Sequence, residues 1–340
     1  MNQATAQTTV LVTGGAGFTG CVLAEPLLER GYNVRILDLM WWGEEPLASF
    51  RDRVELVEGD VRDLPDSVLD GVDAVVHLAA LSNDPTAEHD PDANWEIGAV
   101  ATERLAEACL DRGIKRFIFT SSASLYDGLP EGLHDETAEV SPVGHYAVAK
   151  HYAEQRLLEL AGRGLEPVIL RNGTLFGWSP RMRFDLVVNT FLRDALLKGS
   201  LQLHGGGWMS RPLLDVRDVA GGILAALDAP AEAVGGEIFN LLHSNHQIRE
   251  LAMDVAGSVR LKGHEVEIVE VPAPVINRTY ALTNTKLAER AGFMPKHSVL
   301  DGINHMLERL PLDDLSSLED PRYVNLTWLK QLEARPPSSS

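Results

Sequence analysis

Short apolar runs rich in β-branched residues recur along the first half of the chain: Val10-Leu11-Val12, Val34-Arg35-Ile36-Leu37, Val54-Glu55-Leu56-Val57, Ala74-Val75-Val76, Phe117-Ile118-Phe119 and Val168-Ile169-Leu170. Runs of this length, bounded by turn residues, predict buried strands. Between them apolar residues repeat at three-to-four spacing, in Leu23 to Leu28, Leu105 to Leu110 and Ala147 to Leu160, which predicts helices. Strand and helix alternate, so the expected class is α/β, a doubly wound parallel sheet with right-handed crossovers.

After Gly177 the rhythm changes. Trp178, Ser179 and Pro180 form a loop before a helix expected near Asp185 to Leu197, and Gly205-Gly206-Gly207 marks a turn. Helices are expected near Val216 to Leu227, Gln247 to Lys262, Thr285 to Ala291 and Val299 to Leu310, with a strand near Glu237 to Leu241. This divides the chain into a first domain over 8–177, to which 212–243 returns, and a smaller, discontinuous C-terminal subdomain for substrate over 178–211 and 244–312. Residues 313–340 form an extension whose tail, Ala334 to Ser340, is too polar to bury anything and is expected to be disordered.

With 340 residues, 45% of them hydrophobic, the chain can bury a full core without disulfides or metals. Its two cysteines, Cys21 and Cys109, fall in helical segments and read as buried apolar side chains, so no disulfide framework and no metal site is expected. The net charge of −19 and the absence of a basic cluster argue against nucleic acid as partner. Met1 to Thr9 lacks the order of a signal peptide and no apolar run reaches membrane-spanning length, so a cytoplasmic protein with no membrane partner is expected. In so acidic a chain an anionic ligand needs arginines placed for it.

Directly after the first strand stands Thr13-Gly14-Gly15-Ala16-Gly17-Phe18-Thr19-Gly20, followed by an amphipathic helix. Gly14 and Gly17 let backbone approach a pyrophosphate, the helix N-terminus supplies unpaired N–H groups, and Gly20 permits close helix–strand packing, which makes the sheet Rossmann-like. The second strand ends in Asp38, eighteen residues beyond Gly20, where a carboxylate accepts from both ribose hydroxyls of an adenosine. That carboxylate repels a 2′-phosphate, and no arginine follows within the next twelve residues to offset it, so NAD is expected rather than NADP. Asp60 can accept from the adenine amino group while Val61 packs on its ring, and His77-Leu78-Ala79-Ala80 brings small residues against the cofactor. His77 itself reads as a satisfied buried histidine.

Of six tyrosines only Tyr146 has a lysine four residues on, Lys150, which puts both on one helical face. The fifth strand ends in Ser121-Ser122-Ala123-Ser124, at the carboxyl edge where such sheets bind ligands. A free phenol is a poor base at neutral pH, so Lys150 and an oxidised nicotinamide are expected to favour the phenolate. Tyr146 then takes a hydroxyl proton as hydride leaves the same carbon, and Ser122 bonds the reacting oxygen.

Glycine turn, Asp38, Asp60-Val61, Ser122, Tyr146 and Lys150 in this order resemble the extended short-chain dehydrogenase/reductase family, best known for sugar-nucleotide epimerases and dehydratases. The resemblance spans roughly residues 8 to 310. It implies tightly held NAD, touched also by Phe18, Thr19, Leu39, Leu78, Ala79, Ala80, Ser121 and Asn172, and a nucleotide-diphosphate sugar as substrate. It places Ser82, Ser124, Thr174, Asn189, Arg211 and Arg278 at the substrate, the two arginines on the diphosphate. It implies a homodimer through a four-helix bundle, each subunit giving Ala99 to Arg112 and Tyr146 to Gly162. Where the family's 4,6-dehydratases carry an acidic pair after the catalytic hydroxyl, Ala123 and Ser124 follow Ser122, which weighs against dehydration.

The leading expectation is a 4-epimerase that oxidises a sugar C4 hydroxyl transiently. Behind it stand a nucleotide-uronic acid decarboxylase, a reductase of 4-keto-6-deoxy sugars and a non-catalytic dinucleotide sensor. Pocket size is expected to depend on Asn83, Asp84, Tyr126, Trp178 and Trp208.

Overall fold

The computed structural model describes residues 7–65, 67–272 and 279–334. Seven parallel strands form its central sheet: β1 (Thr9–Thr13), β2 (Asn33–Asp38), β3 (Glu55–Glu58), β4 (Ala74–His77), β5 (Arg116–Ser122), β6 (Glu166–Asn172) and β7 (Glu237–Leu241), in the order β7-β6-β5-β4-β1-β2-β3. The order reverses between β1 and β4, and a doubly wound sheet leaves a crevice for ligand at that point. Each apolar run of the sequence falls in one of these strands, except that Val54 precedes β3 by one residue.

Side chains alternate along a strand, so an unbroken apolar run feeds two cores at once. Val10, Val12, Ile36, Val76, Ile118 and Val168 pack on one face with Leu23 and Leu27 of α1 (Gly20–Glu29) and Val219 and Ile223. On the opposite face, Leu11, Leu37, Val75, Phe117, Phe119 and Ile169 pack with Leu105 and Cys109 of α2 (Ala101–Asp111) and Leu157 of α3 (His145–Ala161). Cys21 and Cys109 are free and buried. Burial pushes both thiols up, Cys109 to about 12, so neither is a nucleophile at neutral pH.

A second core gathers Phe176, Leu192, Leu213, Leu251, Val255 and Ile303. They come chiefly from α4 (Val187–Lys198), α6 (Ile248–Leu261) and α7 (Val299–Arg309), whereas α5 (Val216–Asp228) packs in the first core. Helix α4 starts two residues later than the apolar spacing suggests, because Leu186 is extended and the Asp185 carboxylate accepts from Arg183 and Asn83. Strand β7 returns to the central sheet, whereas Ser210–Asp215 joins Thr174–Phe176 and Ser244–Gln247 in a separate three-stranded sheet. The C-terminal extension is structured through Ala334: short 3₁₀ turns at Leu315–Glu319 and Pro321–Tyr323 lead into α8 (Asn325–Glu333), which packs on the helix Asp84–His89. The tail from Arg335 lies outside the described residues.

Candidate active site

At the carboxyl edge of the sheet the elements enclose a crevice of about 450 Å³. Its floor is the turn after β1. Gly14 sits at φ +69°, and a Cβ there would stand 2.7 Å from the Ala79 backbone nitrogen, so only glycine fits between this turn and the end of β4. A Cβ on Gly20 would collide with the backbone of Gly15. No side chain caps α1, whose Cys21, Val22 and Leu23 amides donate to the Gly17 and Thr19 carbonyls, so an anion would meet the turn ahead of the helix, at Gly17 to Thr19.

Asp38 closes one end. Its carboxylate accepts from Ala16 N (3.0 Å) and Met40 N (2.9 Å), and Met40 takes φ +55° to make the second bond. Burial pushes this carboxyl above its ordinary range, opposed by those amides and by Arg181, which the loop after Gly177 brings close from far along the chain. Local sequence shows no cation near Asp38; the fold supplies one. Asp60 stands on the same wall with its oxygens already shared with Arg62, at 2.6 Å for Oδ2.

Tyr146 and Lys150 reach the crevice from the first turns of α3, and Ser122 reaches it from the end of β5. A side-chain hydrogen bond with Ser122 favours the phenolate, yet burial and the Asp84 charge push the phenol up to about 12. The Arg183 charge opposes that rise from the facing wall. Lys150 Nζ donates to the Thr120 carbonyl at 2.8 Å, lies 6.0 Å from the Tyr146 ring centroid, and is pushed down to about 7 by burial, Glu154 opposing. The crevice thus brings Tyr146, Lys150 and Ser122 together as expected, with burial holding Lys150 well below the ordinary lysine range.

Behind these groups runs a buried chain of hydrogen bonds. Ser121 donates to Glu154 Oε1 (2.5 Å), Arg171 Nη2 pairs with Glu154 Oε2 (2.6 Å), and Arg171 Nη1 donates to Tyr126, which donates to Asn240. His77 is fully buried between Thr13 Oγ1 (2.6 Å) and Thr102 Oγ1 (2.9 Å) and pushed down to about 3, which makes it a neutral structural group. Thr102 also donates to the Gly98 carbonyl, in the π-helical turn Glu96–Val100 that packs against α3.

Every residue expected at the cofactor lines this one crevice: Gly14, Gly17, Phe18, Thr19, Asp38, Leu39, Asp60, Val61, Leu78, Ala79, Ala80, Ser121, Tyr146, Lys150 and Asn172. So do Ser82, Ser124, Thr174 and Arg211 among those expected at the substrate. Asn189 does not. It is fully buried, accepts from Gly177 N (3.0 Å) and donates to Gly177 O (3.1 Å) and Arg183 O (2.9 Å), so its amide is spent stapling the loop over 177–183. Arg278 lies outside the described residues. Of the residues expected to set pocket size, Asn83 and Asp84 are on the wall; Tyr126 is sealed behind it, Trp178 packs on the second core and Trp208 is exposed beneath Arg249.

The opposite wall was not visible in the sequence. It consists of Trp41 and Trp42 after β2, Arg181, Arg183 and Asp185 from the loop before α4, and Asn325, Trp328, Leu329 and Leu332 of α8. Asn83, held at φ +146°, ties the walls together by donating to Asp185 Oδ2 at 2.9 Å. The residues fit a dinucleotide: a glycine cradle that a Cβ would fill, an uncapped helix N-terminus, a buried carboxylate at the end of β2, and a buried Asn172 Oδ1 with no partner.

A parallel sheet, a glycine turn opening a helix and a tyrosine, lysine and serine converging at the carboxyl edge define a dinucleotide-dependent α/β enzyme. The chain belongs to the NAD dependent epimerase/dehydratase family, whose model matches residues 10–241. It is 30% identical over 327 residues to the UDP-N-acetyl-alpha-D-glucosaminuronate decarboxylase of Bacillus cytotoxicus, covering 88% of this chain and 96% of the relative. It is 28% identical to a dTDP-glucose 4,6-dehydratase of Streptomyces niveus over 88% of this chain and 91% of that one. Among solved structures, the UDP-glucose 4-epimerase of Thermus thermophilus in complex with NAD superposes with a TM-score of 0.75 at 27% identity, over 89% of this chain and all of that one. NAD is the cofactor of this family, and its members here are enzymes of nucleotide sugars. Among the described residues no helix is long and apolar enough to cross a membrane, and no group of His, Cys, Asp and Glu is placed to hold a metal.

Proposed function

We propose that the protein is a nucleotide-sugar 4-epimerase that oxidises the sugar at C4 transiently and returns it reduced on the opposite face. The observation that carries this reading is the convergence of Tyr146, Ser122 and Lys150 on one crevice with the glycine turn and Asp38. NAD, when bound, supplies the reversible hydride acceptor and a positive ring. The chain's own residues do the rest. Tyr146 holds and moves the proton of the C4 oxygen, and Ser122 bonds that oxygen as both alcohol and ketone. Lys150 holds the nicotinamide ribose and, once an anionic phenolate forms beside it, gains reason to be protonated. Arg211 holds the substrate diphosphate, with Ser82, Ser124 and Thr174 on the sugar side of the wall.

Ala123 and Ser124 leave no acid directly after Ser122, which supports epimerisation over dehydration. Decarboxylation of a nucleotide-linked uronic acid is the second reading. It is favoured by the 30% identity to a decarboxylase and by a chemistry that needs little acid help once the 4-ketone exists. We place the protein in the cytoplasm as a homodimer; the exposure of Trp95 and Val148 on the α2–α3 side of the sheet supports a helical interface there.

The test is incubation of the purified protein with UDP- and dTDP-linked hexoses and uronic acids, with products resolved by chromatography. A C4 epimer formed without net cofactor consumption is the expected result. Carbon dioxide from a uronic acid selects the second reading, and no conversion of any of them removes both.

A further inference from the structure

Arg181 is 4% exposed and lines the crevice, and two of its three guanidinium nitrogens, Nε and Nη1, have no hydrogen-bond partner. The third, Nη2, donates to Asn325 Oδ1 at 2.5 Å, and the guanidinium carbon lies over the Trp42 ring, 3.9 Å from its centroid. Its loop is fastened over the start of α1, where Ser179 donates to the Phe18 carbonyl at 2.8 Å. A buried cation with open donors costs several kcal/mol unless an anion meets it. Here burial pushes the guanidinium down to about 9, with Arg183 adding to the effect and the Asp185 and Asp38 charges opposing it. The Trp42 ring and the Asn325 bond fix the fork, and the glycine turn at Gly14 to Thr19 lines the same crevice.

We propose that Arg181 is a ligand of the dinucleotide's diphosphate, clamping it from the wall opposite the glycine turn, with Trp42 and Asn325 as its positioning residues. The inference rests on the crevice being the seat of NAD and adds to that seat a cation from outside the strand-turn-helix motif. Substrate also carries a diphosphate, but besides Arg183, Asp185 and Asn325 the surroundings of Arg181 include Cys21, Asp38 and Trp42, which places it toward the side of the crevice where α1 and β2 meet. Arg211, by contrast, lies 5.2 Å from the Tyr280 ring at the other end. A guanidinium with open N–H groups suits a diphosphate, which offers acceptors on both phosphorus atoms.

The experiment measures dissociation constants of adenosine, ADP and UDP by titration calorimetry on full-length protein stripped of nucleotide, for wild type, Arg181→Met and Arg181→Lys. Arg181→Met is expected to weaken ADP at least tenfold while adenosine and UDP stay within twofold, and Arg181→Lys to recover part of the loss. Unchanged ADP affinity overturns the proposal. So does an equal loss for adenosine and ADP, which is what a merely structural arginine or a misfolded variant produces, and so does a loss confined to UDP. Failure of the wild type to bind ADP at all sinks the cofactor seat itself, an outcome distinct from the others.

Discussion

The two walls of the crevice are built differently. The sheet-side wall comes from contiguous motifs, Gly14 to Gly20, Asp38, Ser121 to Ser124 and Tyr146 to Lys150, each at the carboxyl end of a strand or the start of a helix. The facing wall is assembled from Trp41 and Trp42, the loop at 181–185 and helix α8, segments far apart in the chain that meet only through tertiary packing. Both walls hold nucleotide but only the first holds reacting groups, so chemistry and retention separate residue by residue: Tyr146 on the first wall should change turnover alone, and substitutions on the facing wall should change the affinity for nucleotide.

The largest expected effect breaks the chemical wall alone. Tyr146→Phe should lower kcat about 10³-fold, about 4 kcal/mol of transition-state stabilisation, while nucleotide released by denaturation stays at the wild-type ratio. Single-turnover kinetics on any accepted sugar nucleotide check it. Loss of the nucleotide together with activity would show that the walls are not separable.

Next comes Glu154→Gln, behind that wall. It removes the charge that meets Arg171, both side chains being almost fully buried, and should cost about 3 kcal/mol of stability in urea unfolding. A change under 1 kcal/mol would mean that Tyr126 and Asn240 suffice to hold the guanidinium.

On the facing wall, Trp328→Ala removes the indole that donates to the Trp41 carbonyl at 2.8 Å and covers the crevice. Bound dinucleotide should leave about fivefold faster, with kcat of the reloaded enzyme within twofold, because no reacting atom is touched. Dilution into excess labelled NAD reads the exchange rate.

The smallest effect is a pH slope. Lys150 keeps its proton up to about 10.5 in the unfolded chain and loses it at about 7 in the folded protein. Between those values the unfolded state binds the extra proton, so stability rises with pH there and the cost of the buried ammonium is fully present below 7. Lys150→Met should flatten that rise by about 1 kcal/mol over the pH unit above 7, measured as the difference between the two unfolding curves.

The sheet was legible because each strand carries an unbroken apolar run and each crossover a three-to-four spacing, signals contained within a dozen or so residues. The crevice floor was legible for the same reason. Helix α8 was not: Asn325 to Glu333 is short and polar, and its apolar residues Trp328, Leu329 and Leu332 acquire meaning only against the crevice. Asn189 misled in the opposite direction, since its position along the chain suggested a ligand contact and the fold spends its amide on Gly177 and Arg183. The surroundings of Tyr146 were hidden too, because Asp84 and Arg183, whose charges act on it in opposite senses, come from segments far from α3 in the chain.

The most direct test of transient oxidation at C4 is a substrate carrying deuterium at that carbon, followed by NMR through many turnovers in ordinary water. The account predicts that the product keeps the deuterium at C4, whether epimer or decarboxylated sugar. Deuterium lost to solvent, moved to C6, or found at C4 in a product formed equally fast by Tyr146→Phe would contradict it.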